Sequence, residues 1–245
     1  MKIQHITALI KMELKKLIRQ PSILFLNLLF PALLTIVFIF VFSDPEMGME
    51  LSSVIPGLIV YAVIFLIMTI AQSFTTERQE GLLKRLSTTP MTSAEFMGSQ
   101  IISQLITAVF QVTIVLILSF ILGFRPASGI EGLLVALIIT AVFSLSSVGL
   151  GLITAAISKT PESATGISFL FILPQMFFGT FIPITETTRQ IAVFMPSYYL
   201  LDTLKLIFNG NWMDQKIAIN LSIILIFSLA VIVTGIFLFG KYGKK

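Results

Sequence analysis

Cysteine is missing from the 245 residues, and histidine occurs once, as His5. Without thiols neither a disulfide framework nor a thiolate metal site is possible. One imidazole leaves no His/Cys/carboxylate cluster for a catalytic metal and no Ser–His pair within the apolar stretches for intramembrane proteolysis. A G-x-x-x-x-G-K-[ST] loop is absent as well: Gly240-Lys241 lacks the upstream glycine and is followed by Tyr242. The chain therefore has no nucleotide-hydrolysing site, and any energy it uses must come from a partner. Charge is also scarce, at 11% of residues, against about 25% in ordinary soluble domains. A water-soluble fold would lack the polar surface to cover itself. The net charge of +4 is carried by residues dispersed between apolar runs rather than gathered as a nucleic-acid patch.

In place of charge there is hydrocarbon: 56% of residues are hydrophobic and mean hydropathy is +0.99. Lipid is the solvent that suits such a surface. A hydrocarbon core of roughly 30 Å needs about 20 apolar residues at about 1.5 Å rise each. Six stretches of that kind contain no Asp, Glu, Lys, Arg or His: residues 23–42, 54–74, 101–124, 133–157, 164–182 and 217–239. The expected architecture is an all-α integral membrane domain of six spans over residues 1–245, with no internal repeat and no interdomain linker. The first apolar run exceeds the roughly 7–15 residues of a signal h-region. It is followed by Ser43-Asp44-Pro45-Glu46 rather than a small-x-small site, so it is expected to stay as an anchor.

Orientation follows from the basic residues between spans. Twelve of the sixteen Lys and Arg fall on one side: Lys2, Lys11, Lys15, Lys16 and Arg19, then Arg78, Lys84 and Arg85, then Lys159, then Lys241, Lys244 and Lys245. The other side has Arg125, Arg189, Lys205 and Lys216, and its first loop, residues 43–53, has three acids and no base. The positive-inside rule then puts both termini in the cytoplasm of a (bacterial) cell membrane. Residues 185–209 are apolar enough to tempt a seventh span, but that would move the Lys-rich tail outside. Arg189, Asp202, Lys205 and Pro196 also interrupt them. Two short helices in the outer interface, or dipping partway in, fit better. Leu200, Leu201, Leu204, Ile207 and Phe208 form a one-sided stripe on the second, while Tyr198, Tyr199 and Trp212 suit headgroup level.

Before the first span, Ile3, Ile6, Ile10, Leu14 and Leu17 share a narrow arc, with the cations spread round the remaining circumference. The pattern predicts an amphipathic helix over residues 1–22 lying in the cytoplasmic interface; the alternative is a plain basic flank that only sets topology. Residues 75–100 form the one sizeable cytoplasmic loop. Thr76 and Gln79 have capping-box spacing for a short helix, Leu82, Leu83 and Leu86 give it an apolar side, and Pro90 stops it. By spacing alone it is either a force-transmitting element or a mere connection.

Ser144, Ser147, Gly151 and Ala155 share one face of the fourth span and read as small residues for close helix packing rather than reactive groups. The charge-free spans argue against an ion- or proton-coupled carrier. The polar groups at depth are amides (Asn27, Gln72, Gln104, Gln111 and Gln175), which either bond between helices or line a path. Pro174 kinks the fifth span, as a structural bend or beside a gate. An uncharged interior points to a lipid-like, amphipathic or hydrophobic substrate.

The string Glu77-Arg78-Gln79-Glu80-Gly81, with Leu86 and Thr89-Pro90 after it, resembles the E-R-E-x-G-T-x-x-x-L-x-x-T-P signature of ABC-2 type transporter permeases. Gln79 stands where that pattern has an acid and Leu82 where threonine is common. Gly123-Phe124-Arg125-Pro126, Phe181-Ile182-Pro183 and Met195-Pro196-Ser197-Tyr198-Tyr199 resemble the family's later stretches, so the likeness covers most of the chain. It implies one half of an ATP-driven exporter, with a second permease subunit (a homodimer rather than a heterodimer) and separate cytoplasmic ATPases. ATP and Mg would act through that partner, with no cofactor on this chain and no nucleic acid. It further implies that Glu77, Arg78, Glu80, Gly81, Leu82, Leu86 and Pro90 belong to a coupling helix docking the ATPase. Residues 158–163 would be a lesser contact, and residues 183–211 extracellular re-entrant helices. The substrate would be a drug, lipid or peptide-like molecule. A rival from another class is a membrane sensor or scaffold that binds a partner ATPase or kinase and moves nothing.

Overall fold

The computed structural model describes residues 3–19, 21, 25, 29–42, 51–81, 93–178 and 185–242. All regular structure among them is helical: α1 (Ile3–Arg19), α2 (Phe30–Phe42), α3 (Leu51–Ile64), α4 (Leu66–Gln79), α5 (Ser93–Ile121), α6 (Gly129–Ile157), α7 (Pro161–Met176), α8 (Glu186–Ala192), α9 (Pro196–Phe208) and α10 (Gln215–Tyr242). Four helices are long and apolar enough to cross a membrane: Ser53–Gln79, Phe96–Ile121, Gly129–Ile157 and Gln215–Phe239. They correspond to the second, third, fourth and sixth expected spans. Within the first expected span lies α2, whose 13 residues cover roughly 20 Å, short of a crossing. Within the fifth lies α7, whose 16 residues cover roughly 24 Å, also short of a crossing, and pass through Pro174 into a π-helical turn at Phe177 and Phe178.

The molecule is built round its second span. α3 and α4 are one rod interrupted at Phe65, where the Phe65 N–H reaches the Tyr61 carbonyl at a long 3.4 Å. Almost every residue of the rod is buried by its neighbours. The outer helices invert the soluble pattern, as lipid requires. On α5, Ser99, Gln100, Ser103, Gln104, Thr107 and Gln111 are buried, while Phe110, Ile117 and Ile121 are exposed. On α10, Ile226, Leu229, Val233 and Phe237 face outward. Apolar residues outside cost nothing in hydrocarbon, whereas polar groups gain by meeting one another inside.

Backbone proximity sets the centre of the packing. A Cβ on Gly149 would stand 2.7 Å from the Ile232 backbone nitrogen, and one on Gly235 would stand 2.8 Å from the Gly149 carbonyl oxygen. α6 and α10 therefore cross at nearly bare backbone. On the neighbouring face of α6, a Cβ on Gly151 would lie 2.8 Å from Ile70 Cβ, in α4. Ser144, Ser147, Gly151 and Ala155 are all buried, as close packing demands.

α8 and α9 are bent by 119° about residues 193–195. All five members of the expected stripe, Leu200, Leu201, Leu204, Ile207 and Phe208, are buried, against α3, α6 and α10. The pair is closed by the Ala127 N–H bonding the Phe208 carbonyl at 2.9 Å. At its side, Lys216 Nζ lies 2.9 Å from Asp202 Oδ2. The buried Asn220 amide donates to Asp202 Oδ2 at 2.8 Å and to Thr203 Oγ1 at 3.1 Å.

α1 packs on α5 through Leu9 and Glu13, both buried, while Lys11, Lys15 and Arg19 are exposed. At about 100° per residue, that contact lies roughly 80° round from the centre of the apolar arc. Ile10 and Leu14 of that arc are half-buried, and Lys11, Lys15 and Arg19 lie on the far side of the helix.

Candidate functional site

The residues that resemble the coupling motif lie where α4 ends. No new helix starts at Thr76: α4 continues through it to Gln79, so the expected capping box does not form. The run upstream is already helical from Leu66 onward, leaving Thr76 in the helix interior with no N-terminus to cap. Instead the segment holds a helix stop. The Glu80 N–H bonds the Thr76 carbonyl at 2.9 Å, the Gly81 N–H bonds the Arg78 carbonyl at 3.1 Å, and Gly81 has φ +69. A left-handed residue at this place favours glycine and satisfies carbonyls of the last turn. Leu82, Leu86 and Pro90 lie outside the described residues.

Successive side chains of this tail go to different neighbours. Phe74 is buried and meets Phe96 of α5 and Phe239 of α10 edge-to-face, at centroid distances of 5.8 and 5.0 Å. One turn on, Glu77 is only 1% exposed. Its carboxylate accepts from Ser73 Oγ at 3.4 Å and from Gln100 Nε2 at 3.4 and 3.5 Å. Arg78 turns the other way. Its Nη1 donates to the Ala155 carbonyl at 3.3 Å and its Nη2 to the Ser158 carbonyl. These oxygens belong to the last turn of α6 and the residue after it, where carbonyls lack intrahelical donors and a cation meets the negative end of the helix dipole. The same seam holds Gln72 Nε2 donating to Thr165 Oγ1 at 2.6 Å and Gln79 Nε2 to the Lys159 carbonyl at 3.5 Å.

The turn across from Arg78 is itself well ordered. Thr160 caps α7: its hydroxyl accepts from the Ser163 N–H at 3.2 Å, and Ser163 Oγ accepts from the Thr160 N–H at 3.0 Å, with Pro161 in the first turn. The exposed Glu162 carboxyl sits below the usual carboxylate range, held there by its own backbone N–H and then by the Thr160 hydroxyl. Gln79, Glu80, Lys159 and Glu162 are exposed at this end, whereas Glu77 is enclosed and Arg78 half-buried.

The amides expected at depth have the following surroundings. Gln72 bridges α4 to α7 as above. Gln104 and Gln111 lie buried on α5. Gln175 is buried near the opposite end, its Nε2 reaching the Phe171 carbonyl at 3.4 Å and its own carbonyl accepting from Ser197 Oγ at 3.0 Å. Asn27 lies outside the described residues. Gln100 escaped the sequence reading, although it shares a face with Gln104, Thr107 and Gln111 and that polar periodicity was there to be read. The carbonyl partners of Arg78 carry no side-chain signal.

A sequence model of the ABC-2 type transporter family matches residues 4–210. The chain is similar to the daunorubicin resistance ABC transporter permease protein DrrB1 of Streptomyces coeruleorubidus, 24% identical over 68% of this chain and 58% of that one. It is similar to the probable multidrug ABC transporter permease YbhR of Escherichia coli, 28% identical over 54% of this chain and 36% of that one. A third relative is the linearmycin resistance permease protein LnrN of Bacillus subtilis, 26% identical over 69% and 45% respectively. The chain spans about half the length of the curated relatives it matches.

Proposed function

The chain belongs to the ABC-2 type transporter family, and on that premise we propose that it is the permease subunit of an exporter driven by a separate ATP-binding cassette ATPase. The observation that carries this reading is a family match running from α1 through α9, on a chain without a P-loop of its own. The named relatives are resistance or multidrug permeases, and an apolar exterior with uncharged spans suits the same class of cargo: a hydrophobic or amphipathic drug, antibiotic or lipid. α2 and α7 complete the six crossings with the residues that flank them. Both termini are cytoplasmic, α1 lies in the inner interface with its apolar arc toward lipid, and the bent α8–α9 pair re-enters from the outer side. Two copies assemble around the path, each docking one ATPase.

The docking surface in this reading is the exposed rim at the end of α4: Glu80, Gly81 and the residues through Pro90, with Lys159 and Glu162 alongside. Co-reconstitution with the P-loop ATPase encoded nearest this reading frame should give ATP-dependent movement of daunorubicin or a labelled lipid across vesicles. Glu80→Lys reverses a rim charge. Gly81→Pro forbids the positive φ and deletes the N–H that closes α4. Each variant should insert normally yet hydrolyse ATP without transport, and normal transport by both would remove the coupling assignment. Nucleotide-stimulated binding with no movement of any probe would favour the scaffold reading instead.

A further inference from the structure

We propose that Arg78 is a positioning residue, not a docking contact: its guanidinium fastens the tail of α4 to the α6–α7 turn, so that both cytoplasmic elements move as one lever. This rests on the permease reading, within which it separates the part of the motif that touches the ATPase from the part that transmits its motion. Both terminal nitrogens of Arg78 are committed to carbonyls, one of Ala155 and one of Ser158. A planar fork can serve two acceptors at once, whereas a lysine ammonium acts as a single point charge on a flexible stem. Hydrogen bonds to a charged donor are also the stronger kind.

The flanking bonds repeat the tie. Gln72 and Gln79, two turns apart on one face of α4, bond Thr165 and Lys159 on either side of the same turn. On the adjoining face Glu77 takes Gln100 of α5. The tail is thus held from two directions, immediately before the stop at Gly81. A push on the residues beyond Gly81 reaches α5, α6 and α7 through these bonds. An Arg78 that reached out to a partner would first have to abandon them.

The test uses the whole permease, and the absence of cysteine makes thiol labelling clean. Spin labels at Thr76→Cys on the α4 tail and Ile157→Cys at the exposed end of α6, both outside the docking rim, report the separation across the seam by pulsed electron resonance, in the permease alone and then with the ATPase bound. Arg78→Gln should broaden that distance distribution before any ATPase is added. It should also lower the daunorubicin moved per ATP by about tenfold or more, the scale of losing a hydrogen bond to a charged group. ATPase binding should change by less than about threefold, well under the loss expected of a deleted charged contact. Arg78→Lys, which keeps the charge beside α6 but loses the fork, should broaden the distribution less and lose part of the transport.

An unchanged distance distribution together with a tenfold loss of ATPase binding would make Arg78 a direct contact and overturn the proposal. Wild-type transport by Arg78→Gln would do the same. If the distances broaden as expected but the unmutated complex moves no probe with ATP, the fastening stands and the permease reading is what fails.

Discussion

Substituting Gly149 by alanine adds one methyl group where two helix backbones approach closely, and its cost can be worked from the geometry. The new Cβ would lie 2.7 Å from Ile232 N and 2.7 Å from the Val231 carbonyl carbon, where carbon contacts are comfortable at about 3.5–4.0 Å. Neither neighbour is a side chain that can swing away. The α6–α10 crossing must therefore open by about 0.8–1 Å, enough to forfeit a quarter to a half of the attraction at each contact along it. Overpacking of this kind costs about 1–3 kcal/mol. Alanine also returns about 1 kcal/mol of helix propensity, so the informative quantity is the difference from a glycine with room around it. Gly166 in α7 has nothing within 4 Å of its built Cβ, and Gly166→Ala carries the same propensity gain without the clash. At about 2–4 °C per kcal/mol for a chain of this size, Gly149→Ala should melt about 2–12 °C below Gly166→Ala. Scanning fluorimetry of the purified proteins in detergent reads this directly. Gly235→Ala opens the same crossing, so the double substitution should lose less than the sum of the two singles. Melting points of Gly149→Ala and Gly166→Ala that agree within about 1 °C would refute the close approach itself.

Three further outcomes are expected. Asn220→Leu removes a buried donor to Asp202 and Thr203 and should cost about 1–3 kcal/mol; Lys216→Ala, whose ion pair is partly exposed, should cost less than about 1 kcal/mol and only at low salt, so equal losses in thermal unfolding would contradict the geometry. Ser147 Oγ is buried with no partner among the described residues, so Ser147→Ala should keep both melting temperature and transport, and a loss above about 1 kcal/mol would show a polar task. Thr160→Ala should cost about 1 kcal/mol through its cap. It should also move the Glu162 carboxyl titration upward, because the Thr160 hydroxyl helps hold that group low; an unmoved carboxyl resonance in a pH series would break that link.

What was legible beforehand divides along a physical line. Periodicity is local, and it found the α9 stripe from Leu200 to Phe208, the small-residue face of α6 and the long apolar helices, because each is a property of one helix in a medium of known polarity. Pairing between helices is not local. Nothing in the spacing of Gly149 and Gly235 says that they meet. The one local signature that misled, Thr76 and Gln79 as a capping box, failed because a cap needs a helix start and the preceding run was helical already.

The same distinction explains the motif at the end of α4. A charged cluster beside a span reads as surface, since exposed solvation is the cheapest fate of an Arg or Glu. Yet Glu77 and Arg78 both sit about one turn past Phe74, where α5 on one side and the end of α6 on the other still enclose the helix. A buried charge there must find partners, and Gln100 and the α6 carbonyls supply them. Glu80, one residue beyond the last helical position, has passed the ends of those neighbours and is exposed. The reach of α5 and α6 therefore divides the motif, inward for its first two charges and outward for its third. Within the proposed permease reading, that division lets one short string both hold the bundle together and meet the ATPase.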